Sequence, residues 1–121
     1  MRSQSMASKK DFNSVVLEAT DDALLALGAS VRHAVHYHIE RIHHIKHEEI
    51  PDKLVSFHEA LENAFGEGTK ILERFIANKL YSKLDLDFVE HNDWTLVNYV
   101  RHAELLNHIR NANKMLKSVS R

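Results

Sequence analysis

Three glycines and one proline in 121 residues leave this chain little material for tight turns. A β-sandwich or barrel needs a turn every several residues, so those architectures are excluded from the start. Helical periodicity takes their place. Phe12, Val16, Ala19, Ala23 and Leu27 recur at spacings of three and four, which puts them on one side of a helix. The chain is long enough for one domain and short for two. The sequence therefore predicts an all-α fold, a compact bundle of about five helices with a long C-terminal helix.

The breaks between helices are readable one by one. Asp11 is placed to cap the first helix and Gly28 to end it in a backbone conformation that other residues resist. Ser30 is placed to cap a second helix with the stripe Val31, Val35, His38 and Ile42. Ile50-Pro51-Asp52 interrupts the chain, because proline disfavours helix in the residue before it. Asp52 then opens a third helix carrying Leu54, Phe57, Leu61, Ala64 and Phe65, and Gly66-Glu67-Gly68 closes it. A fourth carries Ile71, Leu72, Phe75, Ile76 and Leu80. Leu86 to Asn92 reads as a loop or a short extended piece, and Asp93 is placed to cap a final helix from Trp94 to about Lys117. Leu61, Phe65, Leu72, Phe75, Ile76 and Val100 are the expected core. Residues 1–10 are small, polar and basic, without the apolar stretch of a secretory signal, and read as a flexible leader to a single domain over 11–121 in a cytoplasmic protein. No apolar run approaches the roughly 20 residues that span a bilayer, so no membrane association is expected.

Residues from about Val15 to Val100 resemble an archaeal helical family, the Nitrosopumilus output domain of the fifth type. The resemblance is carried by LEATDDALLALGASVRHAVHYHIE at Leu17–Glu40, EEIPDKLVSFHEALENAFGEGTKILERFIANKLYSKL at Glu48–Leu84 and DFVEHNDWTLVNYV at Asp87–Val100. The spacing from the Leu-Gly turn through the Ile-Pro break to Phe-Gly-x-Gly is its distinctive part. The resemblance implies an output module of archaeal signalling proteins, with no active-site residues to carry over. His43-His44 stand where the family has an aromatic-glycine-like helix end, and residues 101–121 lie outside the match as a basic extension.

Charge and composition narrow the function classes. A net charge of −1 provides no global field toward nucleic acid, and the absence of cysteine removes disulfides, thiolate nucleophiles and cysteine-based zinc sites. Ten histidines make the chain responsive to mild acid. His33, His36, Glu40 and His43 are spaced three, four and three on one predicted helix face, a set of candidate ligands for adventitious divalent metal; no cofactor is otherwise expected. His38 replaces an apolar residue on the stripe and is expected to be a neutral core histidine with a hydrogen-bonded ring nitrogen, Tyr37 and Tyr81 being candidate partners. Gly66-Glu67-Gly68-Thr69-Lys70 has the wrong order for a phosphate loop and follows a helix rather than a strand. Ser14, Ser30, Ser56 and Ser82 lack the elbow of an esterase serine, so no catalysis is expected.

The last helix changes character along its length. From Arg101 onward five Lys/Arg face one acid, and Leu105, Ile109, Ala112, Leu116 and Val119 alternate four and three like a short coiled-coil seam. That stripe is the expected partner-binding surface, for a protein partner or a second copy in a homodimer, although packing back onto the parent bundle would satisfy the same residues. The expected function is a non-catalytic archaeal signalling output or interaction module. The alternative is a small DNA-binding regulator using Arg101, Arg110, Lys114 and Lys117; the segment has no aromatic stacking residue, which disfavours single-stranded nucleic acid.

Overall fold

The computed structural model describes residues 9–119, with side chains over 10–117. Its elements are α1 (Lys9–Ala26), α2 (Ala29–His43), a 3-10 segment (His47–Asp52), α3 (Leu54–Phe65), α4 (Gly68–Lys83) and α5 (Leu96–Val119). The described residues contain no strand, as the periodicity predicts. No helix among them is long and apolar enough to cross a membrane.

α1 packs most extensively on α4, and α4 lies between α1 and α5. Small residues at Ala19, Ala23 and Ala77, all fully buried, let the α1 and α4 backbones approach closely, with Val16, Leu24, Leu72, Ile76 and Leu80 filling the interface. α2 and the 3-10 segment cover another side of α1, while α3 touches α2, α4 and α5. One continuous cluster from Phe12 to Ala103 results.

Helix boundaries differ from the sequence reading in ways that local chemistry explains. α1 begins at Lys9, so Asp11 lies inside its first turn, where a negative charge still favours the helix N-terminus, and of the expected 1–10 leader residues 1–8 lie outside the described ones. α2 begins at Ala29 behind Gly28, which places Ser30 within its first turn. The Ile-Pro break is a full 3-10 segment. Glu49 accepts the Lys46 N–H at 2.9 Å, and Asp52 ends the segment instead of capping α3. α5 starts at Leu96: the Thr95 N–H donates to Asn98 Oδ1 at 2.8 Å, so Thr95 and Asn98 form the start assigned to Asp93. Gly28 and Gly66 both have positive φ, 127° and 57°, and α4 restarts at Gly68, so the glycine pair is a helix stop and restart.

The core is corrected at several positions. Leu61, Leu72, Ile76 and Val100 are buried and Phe65 is partly buried, but Phe75 is 37% exposed. α4 turns Glu73 inward and Ile71 and Phe75 outward, because α1 and α5 both press on the face that carries Leu72, Ile76, Leu80 and Tyr81. In α2 the buried pair is Val35 and Ile39, while Ile42 is exposed. Apolar residues at both 39 and 42 made two phases equally readable, and contact with α1 selects one of them.

Leu86 to Asn92 forms no strand; aromatic contacts hold this stretch in place. The Tyr81 hydroxyl donates to the Tyr99 carbonyl at 2.9 Å, which leaves its oxygen to accept from His102 Nδ1 at 2.8 Å. Burial pushes the Tyr81 hydroxyl up to about 12. Phe88 packs on both tyrosines, and Tyr99 Oη takes the His91 N–H at 2.9 Å.

Candidate functional site

α5 carries apolar residues on two opposite sides. Leu96, Tyr99, Val100, Ala103 and Asn107 point into the bundle and are buried. At 3.6 residues per turn, Leu105, Ile109, Ala112 and Leu116 fall on the far side of the same helix. Ala112 is exposed there, and Leu105, Ile109 and Leu116 are 55%, 46% and 66% exposed. The stripe expected from the sequence is thus assembled on one face and does not fold back onto the bundle. The side chain of Val119 lies outside the described residues.

The basic residues of α5 divide into two roles. Arg110 is not a free phosphate contact: its guanidinium donates to Leu84 O at 2.6 Å, Asp85 O at 3.1 Å and Asn107 Oδ1 at 3.1 Å. The Leu84 and Asp85 carbonyls directly follow the last turn of α4, where a cation satisfies both the unpaired acceptors and the helix dipole. Arg101, Lys114 and Lys117 are exposed.

The histidine face of α2 does not assemble as a set. His33 and Glu40 are exposed, and His43 sits edge-on to His38 at 5.7 Å with its Nε2 unpartnered among the described residues. His38 Nε2 is likewise unpartnered, and neither tyrosine serves it, since Tyr37 is exposed and Tyr81 bonds His102. His36 turns instead toward α1, where its Nε2 lies 2.8 Å from Asp21 Oδ1. His47 of the 3-10 segment places its own Nε2 2.8 Å from Asp21 Oδ2, and the two rings meet edge-on at 4.7 Å. One carboxylate therefore joins three elements. Burial pushes the His36 imidazole below its ordinary value, against the pull of Asp21. Arg32 Nε stands 3.7 Å from the same carboxylate. A depression of about 320 Å³, lined by Ala29, Arg32, His33, His36 and His47, opens over the group. Sequence reasoning found His36 but assigned it the wrong companions, because ligands brought together by tertiary contact have no characteristic spacing.

Two further features were missed altogether. Glu73, 3% exposed, accepts from the Leu96 N–H at 3.1 Å and lies 2.6 Å from His58 Nδ1. Burial raises its carboxyl above the ordinary value. His58 Nε2 faces Glu62 at 3.4 Å, so both ring nitrogens are turned toward carboxylates and the pair serves to tie α3, α4 and the start of α5 together. Leu27, Phe65, Ile71 and Phe75 line a shallow groove of about 540 Å³ beside α4. Its sequence signal was that α4 carries Ile71 and Phe75 beside Leu72, Ile76 and Leu80, more apolar residues than one buried face takes.

No family model, curated protein or solved structure matches this chain.

Proposed function

We propose that this chain is a non-catalytic helical interaction module that self-associates through the outer face of α5, serving a signalling output in the archaeal cytoplasm. The observation that carries the association is the second apolar side of α5, which no part of the described bundle covers. The output role rests on the resemblance of residues 15–100 and is a proposal on that ground. Each large aliphatic side chain withdrawn from water contributes about 1.5–3 kcal/mol, so a stripe of this kind favours burial against a like surface.

A second copy laid antiparallel fits the stripe. In a register centred between Arg110 and Asn111, Leu105 lies opposite Leu116 of the second copy and Ile109 opposite its Ala112. A parallel pair would instead align the basic ends of both helices, where five Lys/Arg stand against one acid. Three large aliphatic side chains and one alanine per copy fall short of the roughly 1,000 Å² that a tight interface buries, so the dimer dissociates on dilution.

Sedimentation velocity over a concentration series tests this reading. The intact chain is expected to shift from dimer to monomer on dilution, and Ile109→Glu to remain monomeric while keeping its helical content. A wild-type chain that stays monomeric at every concentration overturns the reading. A chain truncated after Arg110 keeps every buried α5 residue and is also expected to be monomeric. The DNA alternative is disfavoured by the engagement of Arg110 with α4. Duplex binding that falls steeply with salt would reinstate it.

A further inference from the structure

We propose that Asp21, His36 and His47 form a binding site for one divalent transition-metal ion of the zinc class. The three donors come from α1, α2 and the 3-10 segment, and a ligand atom from each lies within 4.8 Å of the others. Two imidazole nitrogens and one carboxylate oxygen suit zinc, cobalt or nickel. Calcium and magnesium prefer all-oxygen shells. Three protein ligands leave a tetrahedral ion one position short, and the depression above the group, with His33 on its wall, has room for water or a fourth imidazole there.

The metal-free arrangement is already close to the bound one. Each carboxylate oxygen of Asp21 takes one imidazole Nε2 at 2.8 Å, so both rings present their ligating edges to the same point. An ion replaces the two Nε2 protons, and each ring moves its proton to Nδ1. The His47 side chain, 42% exposed on an outer segment, is the ligand with freedom to close on the ion.

Two features hold the affinity down. His36 Nδ1 is buried with no acceptor among the described residues, and loss of such an outer partner weakens a metal site by about 10–100-fold. Arg32, 3.7 Å from Asp21 Oδ1, competes for the carboxylate. The site is therefore one for an exchangeable ion. Because the ion would clamp three elements, binding stabilises the fold.

Calorimetric titration of the full chain with Zn²⁺, paired with thermal unfolding, tests the site. One ion per chain and a rise in Tm are expected. His47→Gln should abolish both with helical content retained, Arg32→Gln should tighten binding, and His108→Gln, on exposed α5 surface, should change neither. Imidazole NMR spectra of the wild type provide a check that needs no variant: Zn²⁺ should perturb the His36 and His47 rings, with His33 the only other ring affected. No binding overturns the proposal. So does binding of several ions per chain, survival of the one-to-one event in His47→Gln, or perturbation centred on other rings. None of these outcomes depends on α5 self-association.

Discussion

His44 closes α2 with φ 58°, a left-handed conformation that glycine adopts freely and a side chain resists. Its side chain is exposed, so nothing is lost on removing it. His44→Gly is expected to raise stability by about 0.5–1 kcal/mol, read as a higher urea midpoint with an unchanged slope. Glu73 shows the opposite case, a buried polar group whose partners decide what may replace it. Glutamine satisfies both, its carbonyl accepting the Leu96 N–H and its amide donating to His58 Nδ1. Glu73→Gln should therefore be well tolerated, whereas Glu73→Ala strands both partners and is expected to cost about 1–3 kcal/mol. The pH dependence follows from the raised carboxyl value. The folded state holds the Glu73 proton more tightly than the unfolded state, so this contribution to stability is full below the ordinary 4.5 and is lost as pH rises through the raised value. Glu73→Gln lacks that loss. Its stability relative to wild type should improve from acid toward neutral pH in paired denaturation curves.

At the scale of elements, α5 performs two tasks along one helix. Its first half completes the core with Leu96, Tyr99, Val100 and Ala103, and Arg110 then fastens it to the end of α4. Asp85 ends α4 in the left-handed region, with the Leu86 N–H returning to Tyr81 O and the Asp85 N–H to Ser82 O. That turn ties back two carbonyls and leaves those of Leu84 and Asp85 to the guanidinium. Arg110→Ala should cost about 1.5–3 kcal/mol, the range for hydrogen bonds to a charged group, and be visible in chemical denaturation. A basic residue serving only as a phosphate contact would leave the denaturation midpoint unmoved. Beyond Arg110 the helix has no buried residue through Lys117, and it is this stretch with Leu105 and Ile109 that carries the outer apolar face.

For the whole molecule, association and stability are linked. If the outer face of α5 pairs with a second copy, folding is coupled to dimerisation and Tm rises with protein concentration. Calorimetric scans at several concentrations should show this in the wild type and a flat Tm in Ile109→Glu. A wild-type Tm independent of concentration would count against the dimer.

The all-α class, the five long helices and most of the buried face of α1 were legible in the amino-acid order alone. Helical periodicity, a proline and two helix-stopping glycines are local signals, and local signals survive without knowledge of neighbours. The outer stripe of α5 was legible for the same reason. Its exposure was not, because a second apolar face looks the same whether the chain covers it or leaves it open. Helix phase was decided by packing: α1 chose Ile39 over Ile42, and α4 turned Glu73 in and Phe75 out because its neighbours pressed on that side. Packing also took Arg110 from the basic face and gave it to α4. The histidine cluster was the least legible feature. Asp21, His36 and His47 are separated by 15 and 11 residues, and only the docking of α2 and the 3-10 segment onto α1 brings their donors to one point.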